Sequence, residues 1–173
     1  MYSALLRSTL IPLLVVLTTS CGFTLRGDIR LPDNHTGVTL SPELTHLPLQ
    51  RALKASLEQF QINYAETLPA SDSDQIHIQL MPESLNRRLL SLFPTGQVAE
   101  YELLLTVRYD VTFPGQETHR VDFEISREYQ DDPDAILAKS RELDLILHEM
   151  RQEAAERIVR LLASQAIQTK ASG

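Results

Sequence analysis

Two consecutive stretches of alternating side chains constrain the fold of this chain more than any other feature of its sequence. From residue 101 to residue 113 every odd position is apolar or aromatic, and most even positions are polar. The alternation resumes at Val121, Phe123, Ile125 and Tyr129. Because successive side chains of a strand point to opposite faces of a sheet, each stretch predicts a strand with one buried and one polar face. Pro114-Gly115 lies between them, so we predict two long antiparallel strands joined by a hairpin.

Two segments with apolar residues at helical spacing lie on either side of this strand pair. The first begins at Pro48, which fits the first turn of a helix, and ends near Gln61. The second begins after Asp132, which can cap a helix, and continues to about Ile167. Shorter stretches predict two further strands, at residues 38–40 and 76–80.

The order of these elements, β-α-β-β-β-α, predicts an α/β (α+β) fold. Its form is a two-layer sandwich in which two helices cover a four-stranded mixed sheet. We expect a single domain over residues 38–168 and a flexible tail over residues 169–173. The composition agrees with a folded domain, because 43% of the residues are hydrophobic and 23% are charged.

The N-terminus has the order of a secretory signal peptide over residues 1–20. A lone Arg7 precedes a short apolar stretch that Pro12 interrupts, and small residues follow up to Cys21. A transmembrane helix needs about 20 apolar residues, so this stretch is too short to span a membrane. Residues 21–37 then form the N-terminus of the mature chain and a turn-rich tether.

Cys21 is the only cysteine, which excludes a disulfide framework within the chain and a Cys-rich metal site. Its place directly after the apolar segment predicts a bacterial lipoprotein, in which this thiol is diacylated. Several acyl chains give stable anchoring without a spanning helix. Gly22 follows the cysteine where an Asp, in enteric-type sorting, would retain the protein in the inner membrane, so the outer membrane is favoured. A buried, incidental thiol is the alternative.

The sequence carries no signature of an enzyme. The net charge of −7 excludes a generic nucleic-acid-binding polycation. The five histidines lie far apart, without the spacing of metal ligands. Neither a nucleophile elbow nor a phosphate-binding or dinucleotide-binding loop occurs. We therefore expect no catalytic residue, no metal site and no cofactor.

Three segments resemble the LptE family of lipopolysaccharide-assembly lipoproteins in their order and spacing. They are Cys21-Gly22-Phe23-Thr24-Leu25-Arg26-Gly27, Gly96-Gln97-Val98-Ala99-Glu100-Tyr101, and residues 138–156. The resemblance covers essentially the whole mature chain. It implies a lipoprotein anchored to the periplasmic side of the outer membrane. It also implies a position inside the large β-barrel LptD, as plug and assembly partner, and binding of lipopolysaccharide on its way to the cell surface.

The resemblance further implies basic residues that contact lipopolysaccharide. In the loop before the second motif this chain has Pro94 where family members can carry a basic residue. Arg87 and Arg88, a few residues earlier, are candidate substitutes, and solvated turn charges are the alternative reading. Lys139 matches the second basic position of the family. Its alternative is an exposed helix residue paired with Glu142 on the same face.

The hairpin predicts where these basic residues lie. We expect Phe113 to pair with about Thr118. In an antiparallel pair with this register, the start of the first long strand lies beside the end of the second. The loop with Arg87 and Arg88 and the helical turns with Lys139 are then expected to converge at the end of the sandwich opposite the hairpin.

A structural and binding partner of a barrel is thus the leading interpretation of the sequence. The polar face of the long strand pair, which includes Arg108 and Arg120, is expected to meet the barrel wall. A pilotin-like or adaptor lipoprotein for another outer-membrane complex is the second interpretation. A lipid-anchored hydrolase is a distant third.

Overall fold

The computed structural model describes residues 29, 31, 35–42, 47–67, 74–131 and 136–172. The predicted signal peptide, Cys21 and most of the predicted tether lie outside these residues. Within helices, the backbone alone is described at residues 47, 136–139 and 166–172. The described elements are β1 (Gly37–Leu40), α1 (Leu47–Gln59), β2 (Tyr64–Ala65), β3 (Gln75–Leu80), β4 (Ser84–Leu92), β5 (Val98–Thr112), β6 (Thr118–Gln130) and α2 (Ile136–Ser172).

The two long strands pair antiparallel along their whole length, as the alternation predicts. Val107 lies opposite Phe123, and the last pair before the turn is Thr112 with Thr118. The loop is therefore one residue longer than predicted, since Phe113 belongs to the turn. The backbone N–H of Gln116 donates to the carbonyl of Phe113 at 3.0 Å. Gly115 supplies the positive φ, +71°, that this tight turn requires.

β3 and β4 share the other edge of β5. β3 pairs with the C-terminal part of β5, for example Ile78 with Val111, and β4 with its N-terminal part, for example Leu85 with Leu105. The two strands are separated at Pro82, which has no N–H to donate. The N–H of Met81 still donates to the carbonyl of Arg108, at 2.9 Å. β1 extends the sheet by pairing parallel with β3 and β2, so the sheet is mixed as predicted.

The α+β class, the mixed sheet and the two helices are confirmed, but the number of strands was wrong. The described sheet has six strands where four were predicted. β2 has only two residues, which is too short for a pattern. The sequence predicts a loop where the structure has β4. The side chains of β4 are mostly exposed on both faces, and such a strand leaves no alternation in the sequence. Arg87 and Arg88 therefore lie in a strand.

Both helices lie on the same face of the sheet and form the core with it. That face carries the odd-numbered residues of β5 from Leu103 to Val111, all fully buried. The helices contribute Leu49, Leu53 and Leu57 from α1, and Met150, Ala154, Ala155, Ile158, Val159 and Leu162 from α2. None of the described helices is long and apolar enough to cross a membrane.

The second helix is longer than its apolar stripe. The sequence predicts an end near Ile167, followed by a flexible tail at residues 169–173, but the backbone is helical to Ser172. Propagating a helix adds one hydrogen bond for each residue fixed, so the last turn does not require further burial against the sheet.

Candidate functional site

Arg87 and Arg88 point to opposite faces of the sheet. Arg87 lies opposite Leu103, which is fully buried, so its side chain is on the face that the helices cover. Arg88 lies opposite Glu102, on the outer face. The structure therefore does not bring the two arginines into one cluster. The sequence analysis expects Arg87 and Arg88 in one basic cluster, and this expectation was wrong. Adjacent residues can share a cluster in a loop, but in a strand they point to opposite faces.

The two arginines also differ in their charge partners. Arg88 forms an ion pair with Glu102, whose side chain is 17% exposed. Arg87 is exposed and forms no ion pair with another described residue. Of the two, Arg87 is thus the cation available to an external anion.

Arg87 lies near the end of β6 and the first turns of α2. Burial raises the pKa of the Tyr129 phenol above its ordinary value, Glu142 of α2 adds to the rise, and Arg87 opposes it. Arg87 on β4 and Glu142 on α2 therefore both act electrostatically on Tyr129 of β6. The strand register places Arg87 opposite Leu103, which in turn lies opposite Arg127 near the end of β6.

The backbone of Lys139 lies in the first turn of α2, and its side chain is outside the described part of the chain. The adjacent strand ends lie together as predicted. Glu100 pairs with Gln130, and the N–H of Asp131 donates to the carbonyl of Ala99 at 2.8 Å. The contact of Lys139 with a ligand stays a prediction.

The turn between β4 and β5 closes this end of the molecule. The N–H of Phe93 donates to the carbonyl of Gln97, and the N–H of Gly96 donates to that of Phe93, each at 2.8 Å. Gly96 has a φ of +83°, which a residue with a side chain rarely adopts. Pro94 is exposed at the tip, beside the exposed rings and chains of Phe93 and Leu92. The tip is thus apolar at Pro94, the position where the resemblance implies a basic residue.

A cleft of about 300 Å³ lies beside this turn, lined by Phe93, Ala99, Glu100, Gln130 and Asp131. Its charged groups are acidic, and the hydroxyl of Ser91 donates to Glu100 at 2.8 Å. A phosphate is therefore not expected in the cleft itself. The exposed cation, Arg87, is on the neighbouring strand.

The opposite end of the molecule receives the chain from the N-terminus. Leu31 packs against the core, and the ring of His35 lies 6.2 Å from that of Phe113, at the start of the β5–β6 turn. The 15 residues of β5 separate this end from the β4–β5 turn, a distance of about 50 Å. His35 and the β4–β5 turn thus lie at opposite ends of β5.

The outer face of the β5–β6 pair is mostly polar, with Leu104 as an apolar residue opposite Ser126. Arg120 donates two hydrogen bonds to the carboxylate of Asp110, at 2.8 and 2.9 Å, and thereby lowers the pKa of Asp110. Thr106 donates to Glu124 at 3.1 Å. Arg108 is exposed on the same face. Both signs of charge occur there, since Arg108 lies opposite Asp122 and Arg120 opposite Asp110, and no described helix covers them.

An ion pair fixes α2 to the break between β3 and β4. The Nε and Nη2 atoms of Arg151 donate to Oε1 of Glu83 at 2.9 and 2.6 Å. The two side chains are 23% and 17% exposed. The pair holds the middle of the long helix beside the first residue of β4.

Nothing in the described part of the chain has the geometry of a catalytic or metal site. No group of three or more metal-binding side chains occurs among these residues. His77 lies between two hydroxyls, with Thr39 Oγ1 and Ser41 Oγ each 3.1 Å from a ring nitrogen. This histidine links β1 to β3, which is a structural role.

The functional feature that the sequence analysis missed is β4 itself. A nine-residue segment flanked by Pro82 and by Pro94-Thr95-Gly96 is the one signal that could have identified it, because such turn residues often bound a strand. Periodicity could not, since polar and apolar residues occur on both faces.

Comparison with known proteins gives a consistent family assignment. The family described as "LptE: Lipopolysaccharide-assembly" matches residues 28–162. The LPS-assembly lipoprotein LptE of Pectobacterium atrosepticum is 32% identical over 150 residues, covering 87% of this chain and 80% of the relative. That of Yersinia enterocolitica is 32% identical over 153 residues, covering 88% of this chain and 73% of the relative.

Solved structures show the same architecture. Rare lipoprotein B from Shewanella oneidensis is 38% identical, with a TM-score of 0.66 over 78% of this chain and 97% of its own. An uncharacterized lipoprotein B from Nitrosomonas europaea is 22% identical, with a TM-score of 0.62 over 83% of this chain and 91% of its own. The second likeness concerns the fold alone.

Proposed function

Because the chain belongs to the LptE family of lipopolysaccharide-assembly proteins, we propose that it is the lipoprotein partner of the outer-membrane barrel LptD. In this role it fills the barrel lumen, assists barrel assembly and binds lipopolysaccharide during delivery to the outer leaflet. The coarser statement follows from the family directly: the chain is a membrane-associated lipoprotein with a role in lipopolysaccharide assembly and is not an enzyme.

The observation that carries the role of a plug is the uncovered polar face of β5 and β6. The lumen of a membrane barrel is polar, so its occupant needs polar contacts and bridging water. Arg120 donates to Asp110 and Thr106 donates to Glu124 across the two strands, and these two pairs orient the polar groups that the wall would meet. A surface of this kind, ordered and of mixed charge, suits a wet interface.

We propose that Cys21 carries the anchor, after removal of residues 1–20, and that residues 21–37 connect it to the domain of residues 38–168. The chain joins the domain beside Phe113, about 50 Å from the β4–β5 turn, so this connection is at the end of the sheet away from that turn. Replacing Cys21 by Ala is expected to abolish labelling with radioactive palmitate. Labelling that persists in this variant would exclude the lipoprotein assignment.

We propose Arg87 and Lys139 as the residues that contact the phosphates of lipopolysaccharide. Charge-assisted hydrogen bonds from Arg or Lys to phosphate are strong, and Arg87 has no competing ion pair among the described residues. Arg88 was a third candidate, but its pairing with Glu102 on the other face reduces its expected share. In a chain with a net charge of −7, such cations act over a Debye length of about 8–10 Å.

The experiment compares charge-reversed variants at these positions. Binding of lipopolysaccharide is measured for Arg87→Asp combined with Lys139→Asp, and for Arg88→Asp as the matched control. We expect the double variant to bind at least tenfold more weakly and the control to change less than threefold. Both should still copurify with LptD after mild detergent extraction. Normal binding by the folded double variant would place the contact elsewhere, and copurification with a different complex would favour an adaptor role.

A further inference from the structure

β4 is an edge strand with an open side. β5 pairs with one side of it, and no described strand pairs with the other. The pairing is regular from Ser84 to Leu89 and shifts register beyond Leu89. An open edge presents the N–H and C=O groups of alternate residues, which another extended chain can bind.

The other two edges of the sheet are protected in ways that β4 is not. β2 is only two residues long. β6 carries charged side chains along its length: Arg120, Asp122, Glu124, Arg127 and Glu128. Short length and charge both disfavour the addition of a further strand. β4 instead exposes large apolar side chains, namely Leu85 (36%), Leu89 (50%), Leu90 (44%) and Leu92 (54%).

The regular part of β4 has a distinctive order of side chains on its helix-side face. Leu85, Arg87 and Leu89 are two residues apart, so they lie in a row on that face. The row reads apolar, cationic, apolar. Arg87 has no ion pair with a described residue, so an acidic side chain on an added strand could pair with it. Apolar side chains two residues before and after that acidic residue would then contact Leu85 and Leu89.

We propose that residues 84–89 form a β-addition site for an extended segment of a partner protein with this apolar, acidic, apolar alternation. The backbone of the added strand hydrogen-bonds to the open edge, and its alternate side chains provide the specificity. A phospholipid could satisfy Arg87 and the leucines, but it could not pair with alternating backbone donors and acceptors. The backbone of the open edge therefore favours a peptide over an amphiphile. Because the acidic side chain of the peptide and a lipopolysaccharide phosphate would both use Arg87, the two ligands are expected to compete for this site.

The probe is a synthetic nine-residue peptide. Its central glutamate is flanked two residues away by valines, and the other residues are threonines. The isotope-labelled full chain in detergent micelles is titrated with it, and amide chemical shifts are recorded. We expect the changes to centre on residues 84–89. A peptide with lysine in place of the glutamate should bind at least tenfold more weakly.

Charge reversal tests the assigned register. In Arg87→Glu the preference should invert, so that the lysine peptide binds more tightly than the glutamate peptide. Arg51→Glu on α1 makes the same change in net charge at another exposed arginine and should leave both affinities within twofold. An unchanged preference in Arg87→Glu would overturn the proposed register.

Backbone methylation of the peptide tests strand addition without altering the protein. In an added strand, every second peptide N–H faces the β4 edge, and the others face away from it. Methylation of the first set blocks the hydrogen bonds to β4, whereas methylation of the second set leaves them intact. We expect one pattern to weaken binding at least tenfold and the other to have little effect. Equal binding of both patterns would contradict strand addition. If micromolar short-chain phosphatidic acid displaces the peptide, the edge binds a lipid. If sedimentation shows a dimer that the peptide cannot dissociate, the edge binds a second copy of the chain.

Discussion

At the residue scale, Tyr109 is the polar group that the core accommodates least well. Its side chain is fully buried in β5, and its hydroxyl has no hydrogen-bond partner in the described structure. Burial raises the pKa of this phenol to about 12, although the nearby Arg157 opposes the rise. An unsatisfied buried hydroxyl costs about 1–3 kcal/mol. The alternation of the sequence predicts that Tyr109 is buried, but it carries no information about the missing partner.

Replacing Tyr109 by Phe is expected to raise the free energy of unfolding at neutral pH by about 1 kcal/mol, because the costly hydroxyl is removed. The wild type should also lose stability as the pH rises from 10 toward 12, since the unfolded chain releases this proton near pH 10 and the folded chain holds it to about 12. The loss should be shallower in the variant. Urea unfolding at a series of pH values measures both effects.

The control for this substitution is Tyr64→Phe. Tyr64 is half-buried, and its exposed hydroxyl donates to Glu58 at 2.8 Å. Removing that hydrogen bond should leave the stability at neutral pH unchanged or slightly lower. Identical pH profiles for Tyr109→Phe and the wild type would show that the Tyr109 phenol is not protected in the folded chain.

At the element scale, the ion pair between Glu83 and Arg151 determines how α2 meets the strand break. Both side chains are mostly buried, so removing one leaves the other charge with little water around it. We expect Arg151→Ala to lower the free energy of unfolding by about 1–3 kcal/mol. The exposed pair of Arg160 with Glu156 is the matched control, and Arg160→Ala should cost less than about 1 kcal/mol.

A double-mutant cycle separates the pair from the other contacts of Arg151. If Glu83→Gln and Arg151→Ala have additive effects on the free energy of unfolding, the pair does not fix the helix. A coupling of about 1 kcal/mol or more supports the stated role.

Elements that bury one face could be predicted from the sequence, and those that bury none could not. β5 and β6 left a clear alternation because only one of their faces contacts the helices. β4 has no such alternation, so the sequence does not predict it as a strand. The positions of its two arginines could therefore not be predicted either. In a predicted loop Arg87 and Arg88 have no assigned faces and are expected together, whereas the strand turns them to opposite faces of the sheet. The hairpin register does bring the start of β5 beside the end of β6, as the alternation predicts. The convergence of Arg87, Arg88 and Lys139 at that end stays a prediction.

At the scale of the whole molecule, the sandwich has one covered face and one open face. The helices and the sheet bury the apolar side chains between them, while the outer face of β5 and β6 holds paired charges. The long axis of about 50 Å exceeds the roughly 25 Å apolar band of an outer-membrane barrel. A molecule of these dimensions can line the lumen along its length and still project beyond it.

The most direct test of this account is photo-crosslinking from the outer face of the sheet in living cells. A photo-reactive amino acid replaces Arg108, which is exposed and forms no ion pair with another described residue, so that the fold is preserved. We predict a crosslinked product that contains LptD and appears only after irradiation. Products that contain only unrelated proteins, while the variant is stable and correctly anchored, would contradict the assignment of this face to the barrel wall.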